Sequence, residues 1–259
     1  MKRPSTTGDP LSGLDGLKWS KVKPGSVWLG SDDGRLSFHP VKESPRHEVC
    51  IDYEFEISRD AFLIRDFYSQ SGTTKEELDE AGVRMPSEAE WELANEQGSM
   101  HDERGGWEEL ADSRPHSGHW GGRCDGHPRE TSHLSHVKPL RRCGSAGVER
   151  SYDHSVSDAE SRDKVMRLVR VPDSPEEAPR LPDENRFSIL LREVMFALVI
   201  GIIPSFLWAW NFASANYLTE GWFNLVFGGL FIGIVSGFIW RPKRPSYRVS
   251  EDGKNVERV

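Results

Sequence analysis

The sequence predicts an α+β domain of short strands, two helices and long loops, followed by a hairpin of two transmembrane helices. Three observations predict this architecture. Residues 47–58 alternate apolar and polar side chains, as a half-buried strand does. Two capping-box sequences precede short helical stretches. Two runs near the C-terminal end carry no charged residue over 19 positions each, which is the length that a membrane helix needs.

Charge and cysteine content exclude some classes of protein. The 259 residues include 33 Lys and Arg against 41 Asp and Glu, a net charge of -8. This excludes a general nucleic-acid binder, because a phosphate backbone needs a basic face. Cys50, Cys124 and Cys143 are too few, and odd in number, for a disulfide framework, and they fit a reducing compartment. Residues 1–16 have two basic residues but no apolar run after them, so we expect a flexible N-terminus and no signal peptide.

The globular domain is expected over residues 17–170, and its first part predicts strands. Val22, Val27 and Leu29 lie on either side of a turn at Pro24 and Gly25. Residues 47–58 follow as one strand, whose apolar face holds Val, Ile, Tyr, Phe and Ile at alternate positions.

Two helices follow in the sequence. Each begins with a Ser or Thr three residues before a Glu, and each ends at a glycine that can adopt a left-handed cap. The capping and terminating residues are Thr73, Glu76 and Gly82 for the first helix, and Ser87, Glu90 and Gly98 for the second.

The remainder of the domain predicts loops and a closing strand. Residues 98–142 are rich in Gly, His and Pro and have little periodicity, which is typical of long ordered loops with short strands. Residues 164–171 alternate as a final strand. Residues 171–186 are rich in Pro and acidic groups and predict a stiff, extended linker. The polar tail after Pro245 predicts disorder.

The two apolar runs predict a membrane hairpin. The first helix is expected over 187–212, with its span at 194–212, and the second over 222–240. At about 1.5 Å per residue each span covers about 28 Å, close to the hydrocarbon thickness of a bilayer. Residues 213–221 form a loop too short to hold a domain. A pair of buried helices in a soluble core is the alternative, and apolar residues on all faces argue against it.

Basic residues predict the orientation of the hairpin. Arginines and lysines precede the first span and follow the second, through the tail 241–259, whereas the loop has none. The positive-inside rule then places both termini in the cytoplasm of a two-span cell-membrane protein. Gly229, Gly233 and Gly237 form a ridge that lets a helix approach closely. The ridge packs either on the first span or, in a homodimer, on a second copy; we favour the first span.

The order of several motifs resembles that of a known family. The sequence contains WSKVKPGSVWLGS, PRHEVCIDYEFEIS, GVRMPSEAEWELA, GGWEELADS, LRRCGS and VMRLVRV, in that order. This succession, over about Trp19 to Val171, resembles the formylglycine-generating-enzyme or sulfatase-modifying-factor domain, and Arg84 to Ala94 is its most specific part. The resemblance implies a variant of the C-type lectin-like fold. It also implies that the matching residues hold the fold as helix cap, core aromatic and ion-pair partners: Arg84, Pro86, Glu88, Glu90, Trp91, Glu92, Trp107, Glu108, Arg142, Ser145 and Arg167.

The sequence departs from the family where the family's chemistry lies. The oxidase of the family holds copper with two cysteines shortly after its R-G-G-S segment, because thiolates bind Cu(I). Residues 146–161 contain no cysteine here, and Cys143 replaces a glycine inside the segment itself. Gly106 stands where the family has an asparagine. The resemblance therefore does not carry over the copper oxidase activity.

Histidines and cysteines crowd into a short stretch. They include pairs at spacings that can chelate zinc, and no named zinc module has this order. The crowded residues are His116, His119, Cys124, His127, His133, His136 and Cys143. The first candidates for ligands are His116, His119, Cys124 and His127; solvated loop histidines are the alternative. Asp32 and Asp33 suggest calcium or a β-turn, and the turn is favoured.

Two functions follow as expectations. The first is a membrane-anchored, non-catalytic module that binds a protein or small molecule at the cytoplasmic face and has the lipid bilayer, but no nucleic acid, as a partner. The second is a divergent metal-dependent, oxygen-using enzyme of the same superfamily, whose metal the histidine and cysteine cluster would supply. A structural membrane role, through the glycine ridge, is a third alternative.

Overall fold

The computed structural model describes most of the chain. The described residues are 14, 16–35, 43–64, 66–67, 75–101, 106–113, 118–129, 137–144, 147–154, 164–171 and 177–259. Within these ranges the chain forms three sheets and a set of helices, so the mixed α+β class that the sequence predicts is confirmed.

The first sheet contains four strands. Its order is β1 (Trp19–Val22), β4 (Phe55–Ser58), β11 (Val169–Arg170) and β6 (Val83–Arg84), and all neighbours are antiparallel. The second sheet has the order β5 (Phe62–Leu63), β10 (Lys164–Met166), β7 (Trp107–Glu109), β8 (Val137–Gly144) and β9 (Gly147–His154).

The third sheet joins two early strands of the domain to the C-terminal tail. Its order is β13 (Val256–Arg258), β12 (Tyr247–Val249), β3 (His47–Ile51) and β2 (Gly25–Leu29). Strand β12 runs parallel to β3, with Tyr247 opposite His47. The prediction of a disordered tail was therefore wrong. Its polar composition hid a hairpin that gains its stability by extending an existing sheet edge.

Residues 47–58 form two strands, not the single strand that their alternation predicts. Strand β3 pairs with β2, and β4 pairs with β1 in another sheet. The three residues between them keep the alternation in phase, so Val49, Ile51, Phe55 and Ile57 all enter one hydrophobic cluster. The closing strand is divided in the same way into β10 and β11, because Arg167 between them turns into the interior.

Both predicted helices of the domain are present, each ends where the sequence predicts, and the second also begins there. Helix α1 (Lys75–Glu80) ends before Gly82, whose φ is +66°. Helix α2 (Glu88–Glu96) has a complete capping box between Ser87 and Glu90, and it ends before Gly98, whose φ is +65°. Thr73 lies outside the described residues. Almost the whole of α2 is buried, which places its acidic side chains in the interior.

The described part of the predicted linker, 177–185, packs on a loop of the domain. Cys124 donates its backbone N–H to the Pro179 carbonyl, and Leu181 donates to Gly122. Leu181 then packs in an apolar cluster with Cys124 and Val249 of the tail. Linker, loop and tail therefore join in one hydrogen-bonded and apolar contact region.

The apolar runs form helices long enough to cross a membrane. The first, Phe187–Phe212, consists of α3 (Arg186–Phe196), a π-helical segment (Ala197–Ile202) and α4 (Ile203–Phe212). A short helix, α5 (Ala215–Glu220), precedes α6 (Trp222–Ile239). Only 11% and 22% of the most apolar windows are buried, so these helices do not have the buried surface of soluble core helices.

Close contact between glycines joins the two long helices. A Cβ on Gly201 would lie 1.8 Å from the carbonyl oxygen of Gly229, and one on Gly233 would lie 2.7 Å from the Cα of Ala197. The π-helical segment therefore faces the glycine ridge, and Gly237 is buried in the same row. The first span occupies the ridge within one chain, so a homodimer through this ridge would have to displace it.

Candidate functional site

Three polar networks surround the buried helix α2. The first starts at its capping box, where Glu90 accepts the backbone N–H of Ser87 at 2.7 Å. Arg84 donates two hydrogen bonds to the Glu90 carboxylate, at 2.7 and 2.8 Å. The Tyr53 hydroxyl donates to the same carboxylate at 2.7 Å. Burial, and then the neighbouring Glu90 charge, raise the pKa of Tyr53, so its proton stays in this hydrogen bond.

The second network joins α2 to two sheets. The Trp91 indole N–H and the Arg167 Nε both donate to Glu108, at 2.7 and 2.9 Å. Arg167 also donates to backbone carbonyls of Ser58, Arg59 and His101. Arg167 and Trp91 are fully buried. The Glu108 carboxylate and the backbone carbonyls therefore compensate the charge and the hydrogen-bond donors of a buried arginine.

The third network is centred on Arg141 of β8, which is fully buried. Its guanidinium contacts Glu88 of α2 and lies 3.2 Å from Glu43 and 3.8 Å from Glu92. Arg150 of β9 lies 3.1 Å from Glu92 and 3.4 Å from Glu43. Three buried carboxylates thus share the buried guanidinium of Arg141 and the partly exposed guanidinium of Arg150, which leaves one carboxylate without a full partner.

The imbalance separates the acidities of these carboxyl groups. Burial, with the adjacent Glu88 charge, raises the pKa of Glu43 to about 7. Burial also raises the pKa of Glu92. Burial opposes ionisation of Glu88 as well, but contact with Arg141 outweighs it and holds the pKa of Glu88 below its usual range. Glu88 is therefore the ionised partner of Arg141, and Glu43 carries the shared proton near neutrality.

Three histidines line a cavity beside this network. His47, His119 and His127 surround an enclosed space of about 20 Å³, together with Glu88, Asp112 and Arg129. The His47 and His119 rings are 4.8 Å apart, and His127 lies 4.7 Å from the Tyr53 ring. Burial lowers the pKa of His47 to about 4 and that of His119 well below its usual range. The space suits about one water molecule and is too small for an organic substrate.

The protonation of His119 follows from its contacts. Arg129 can only donate, and its guanidinium lies 3.1 Å from Nδ1 of His119. Nδ1 therefore accepts, and the single proton of the neutral ring is on Nε2. No group within the described ranges accepts a hydrogen bond from that buried N–H. A water molecule in the cavity would satisfy it.

The donor groups around the cavity include one candidate set for a metal. Within the described part of the chain, one group of three His, Cys, Asp or Glu has ligand atoms within 4.8 Å of one another: Glu43, Glu88 and His119. Arg141 contacts both carboxylates, Arg129 lies against Nδ1 of His119, and the other nitrogen of that ring carries the proton. A cation here would have to displace a buried guanidinium, so this set does not fit a resident metal.

The three described ligand candidates, His119, Cys124 and His127, do not form a group whose ligand atoms lie within 4.8 Å of one another. Cys124 packs in the apolar cluster with Leu181 and Val249, away from the His119 group, and burial raises its pKa to about 12. His127 lines the cavity, with Asp125 3.4 Å from its Nδ1. His116, His133 and His136 lie outside the described residues. A protonated thiol is a poor metal ligand and a poor nucleophile.

The remaining cysteines and acidic candidates also have structural contacts. Burial raises the pKa of Cys50, and Cys143 lies 3.4 Å from Asn95. Asp33 pairs with Arg35 and accepts its backbone N–H within a turn, and Asp32 pairs with Lys243 at 2.9 Å. The two aspartates therefore serve a turn and a link to the tail.

Other residues of the family-like motifs hold neighbouring elements together. Arg142 stacks over Trp107 at 4.7 Å and donates to Glu149 at 3.1 Å. The Pro86 carbonyl accepts the N–H of Ala111. Ser145 lies outside the described residues.

Sequence reasoning missed much of this site. Glu43, Arg141, His47, Asp112 and Arg129 were not singled out, and they come from four distant parts of the chain. Arg141 lies within the family-like LRRCGS segment, and that segment was the one available indication. Asp112 accepts the first backbone N–H of α2, from Glu88, at 2.6 Å and that of Arg129 at 2.7 Å. Only tertiary contact identifies it as a cap.

Comparisons with known proteins gave one structural likeness. No family model and no curated protein sequence match the chain. Among solved structures, PvdO from Pseudomonas aeruginosa is 15% identical with a TM-score of 0.43, over 66% of this chain and 100% of that chain. Likeness at this level carries no argument about function.

Proposed function

We propose that the chain is a membrane-anchored, non-catalytic binding module built on a sulfatase-modifying-factor-like domain of C-type lectin-like fold. Two transmembrane helices hold the domain at the cytoplasmic face of the membrane. The observation that carries the non-catalytic assignment is that the side chains of the motif residues form hydrogen bonds between one structural element and another. These residues are Arg84, Glu90, Trp91, Glu108 and Arg167.

The chemistry of the interior supports a module without catalysis. The cavity next to the networks, at about 20 Å³, holds about one water molecule. The thiols of Cys50 and Cys124 have raised pKa values, so neither is available as a thiolate at neutral pH. The order of the sequence motifs supports the family assignment, and the missing cysteine pair separates the chain from the copper oxidase of that family.

The third sheet supports the hairpin topology. Strand β3 precedes the two helices, and β12 follows them, yet the two strands are hydrogen-bonded. A chain that leaves this sheet and returns to it must cross the bilayer an even number of times. The exposed apolar side chains on both helices supply the lipid-facing surface. The basic residues beside the sheet support a cytoplasmic location for it.

Cysteine labelling of the full-length protein in whole cells tests the anchor. Thr219→Cys lies between the spans and Lys254→Cys lies in the tail hairpin, and both positions are exposed. The unmodified chain, with its three native cysteines, measures background. We expect an impermeant maleimide added outside whole cells to label the Thr219→Cys variant and not the other. Labelling of both, or release of the protein by alkaline carbonate, would contradict the anchor.

Oxygen uptake tests the absence of catalysis. The full-length protein in nanodiscs is supplied with Cu(I) or Fe(II) and a cysteine-containing sulfatase peptide. We expect uptake equal to that of empty nanodiscs with the same metal, while an authentic formylglycine-generating oxidase consumes oxygen. Turnover that is lost in Cys124→Ser, but not in Cys143→Ser, would establish the enzyme instead.

A further inference from the structure

Basic side chains gather where the two membrane helices meet the domain. Arg241 is almost fully buried, lies 3.3 Å from Glu193 and donates to the Gly233 carbonyl at 3.1 Å. Lys243 pairs with Asp32 at 2.9 Å. Arg192 and Arg244 complete the group of four cations; Glu193 and Asp32 are directly paired with members of it, and Glu184 and Asp33 act on Arg244 from nearby.

Arg244 and Arg192 have unsatisfied donors. Arg244 is 9% exposed, and its guanidinium donates to the Ser44 hydroxyl at 2.8 Å. No carboxylate among the described residues lies within 4 Å of it. Arg192 has Glu193 at 3.8 Å as its nearest acidic partner. The Nε atoms of both arginines are buried, and neither has a hydrogen-bond partner among the described residues. Burial, and then the charge of Arg192, lower the pKa of Arg244, while Glu193, Glu184 and Asp33 oppose that shift. Two guanidinium groups whose donors are not all used complement an anion.

An apolar groove between the helices begins at this cluster. It has a volume of about 320 Å³, and Glu193 and Arg241 stand at its polar end. Its walls are aliphatic: Val194, Ala197, Leu198, Ile202, Leu230 and Ile234, with Gly233. From Glu193 to Ile202 the helix advances about 13 Å, which is close to half of a hydrocarbon core about 30 Å thick. The groove therefore has the depth of one leaflet.

We propose that this groove and the Arg192–Arg244 pair bind one anionic phospholipid from the leaflet that faces the domain. One acyl chain lies in the aliphatic groove, and the phosphate lies between the two guanidiniums. A phosphodiester accepts several hydrogen bonds from planar guanidinium groups, and basic pockets between membrane helices suit such head groups. The site would fix the angle between hairpin and domain, because Arg244 also binds Ser44 and the backbone of Asp32. This inference rests on the proposed membrane insertion, which the labelling experiment tests separately.

Lipid retention by the full-length protein tests the proposal. The protein is reconstituted in nanodiscs of phosphatidylcholine with about 20 mol% of the anionic lipid phosphatidylglycerol. It is then released into mild detergent and examined by native mass spectrometry. We expect one retained phosphatidylglycerol on the monomer. Arg192→Gln with Arg244→Gln should lower retention roughly 10- to 30-fold, at about 1 kcal/mol for each basic group. Arg170→Gln, a single change that removes one charge from an exposed pair with Glu56, should leave retention unchanged.

A second pair of variants tests the acyl chain. Ile234→Trp fills the groove from its exposed side, whereas Val199→Trp places the same ring on the first helix outside the groove. Both positions are about half exposed, so neither change should unfold the hairpin. We expect loss of lipid only with Ile234→Trp.

Several outcomes would overturn the proposal. Equal retention of phosphatidylcholine would remove the anionic selectivity. Displacement of the lipid by millimolar inorganic phosphate, or phosphate binding that survives Ile234→Trp, would assign the arginine pair to a soluble anion. A dimer mass that is lost with Ile234→Trp would assign the groove to a second copy of the chain. Failure of membrane insertion in the labelling experiment would instead remove the proposed anchor.

Discussion

Replacing Glu43 by Gln should stabilise the domain, and only above neutral pH. Glu43 shares Arg141 and Arg150 with two other buried carboxylates, and its pKa is raised to about 7 from 4.5. A raised folded-state pKa means that the folded protein holds a proton which the unfolded chain releases. The associated stability is complete below about pH 4.5 and is lost as the pH rises through about 7.

The magnitude follows from the size of this shift. At about 1.4 kcal/mol for each pH unit, ionisation of Glu43 costs about 3 kcal/mol between pH 5 and pH 8. Glutamine resembles the protonated acid and does not ionise. We therefore expect Glu43→Gln to match the wild type at pH 5 and to exceed its stability by about 2–3 kcal/mol at pH 8. For a domain of this size that is about 6–10 °C in Tm.

Thermal unfolding of the full-length protein in nanodiscs, followed by near-UV circular dichroism, measures the difference. Contributions from His47 and other groups are common to both proteins and cancel. Glu149→Gln, which removes a carboxylate from the partly exposed pair with Arg142, is the matched control and should change Tm little at either pH. If Glu43→Gln lowers stability by about 3–5 kcal/mol at both pH values, Glu43 is an ionised and net favourable partner of Arg141, and the reasoning fails.

The remaining predictions concern the hairpin, the second network and the buried thiol. Gly229→Val should disrupt the packing of the two long helices, because a Cβ at that position would lie 2.6 Å from the Cα of Ile202. A Cβ at Gly228 would meet nothing within 4 Å, so Gly228→Val is the control. The protease resistance of the hairpin in detergent should fall for Gly229→Val only. Glu108→Gln should lower the free energy of unfolding, measured by chemical denaturation, by about 3–5 kcal/mol, because it removes the carboxylate that pairs with the buried Arg167. Glu56→Gln, in an exposed pair with Arg170, should lower it by less than about 1 kcal/mol. Iodoacetamide at pH 8 should alkylate Cys143 before Cys124, whose pKa is raised to about 12; equal rates in the folded protein would contradict the burial of that thiol.

Local features of the sequence were the most predictable. The capping box of Ser87 and Glu90, and the glycines at 82 and 98, lie where the helices begin and end, because a cap is formed by residues adjacent in the chain. The two apolar helices were equally evident, since their length and lack of charge depend only on composition. By contrast, alternation could not show that residues 47–58 change sheets, because the three intervening residues preserve its phase.

The sequence alone determined which residue types enter the interior, where α2 begins and ends, and that two helices could cross a membrane. Tertiary structure decided what the charges do. Glu43, Glu88 and Arg141 meet only after β8 packs against α2, so neither the shared proton nor the small histidine-lined cavity is visible in the chain. The tail is the same kind of case: its three-residue strands are too short and polar to predict, and β12 exists because β3 offers an edge to pair with.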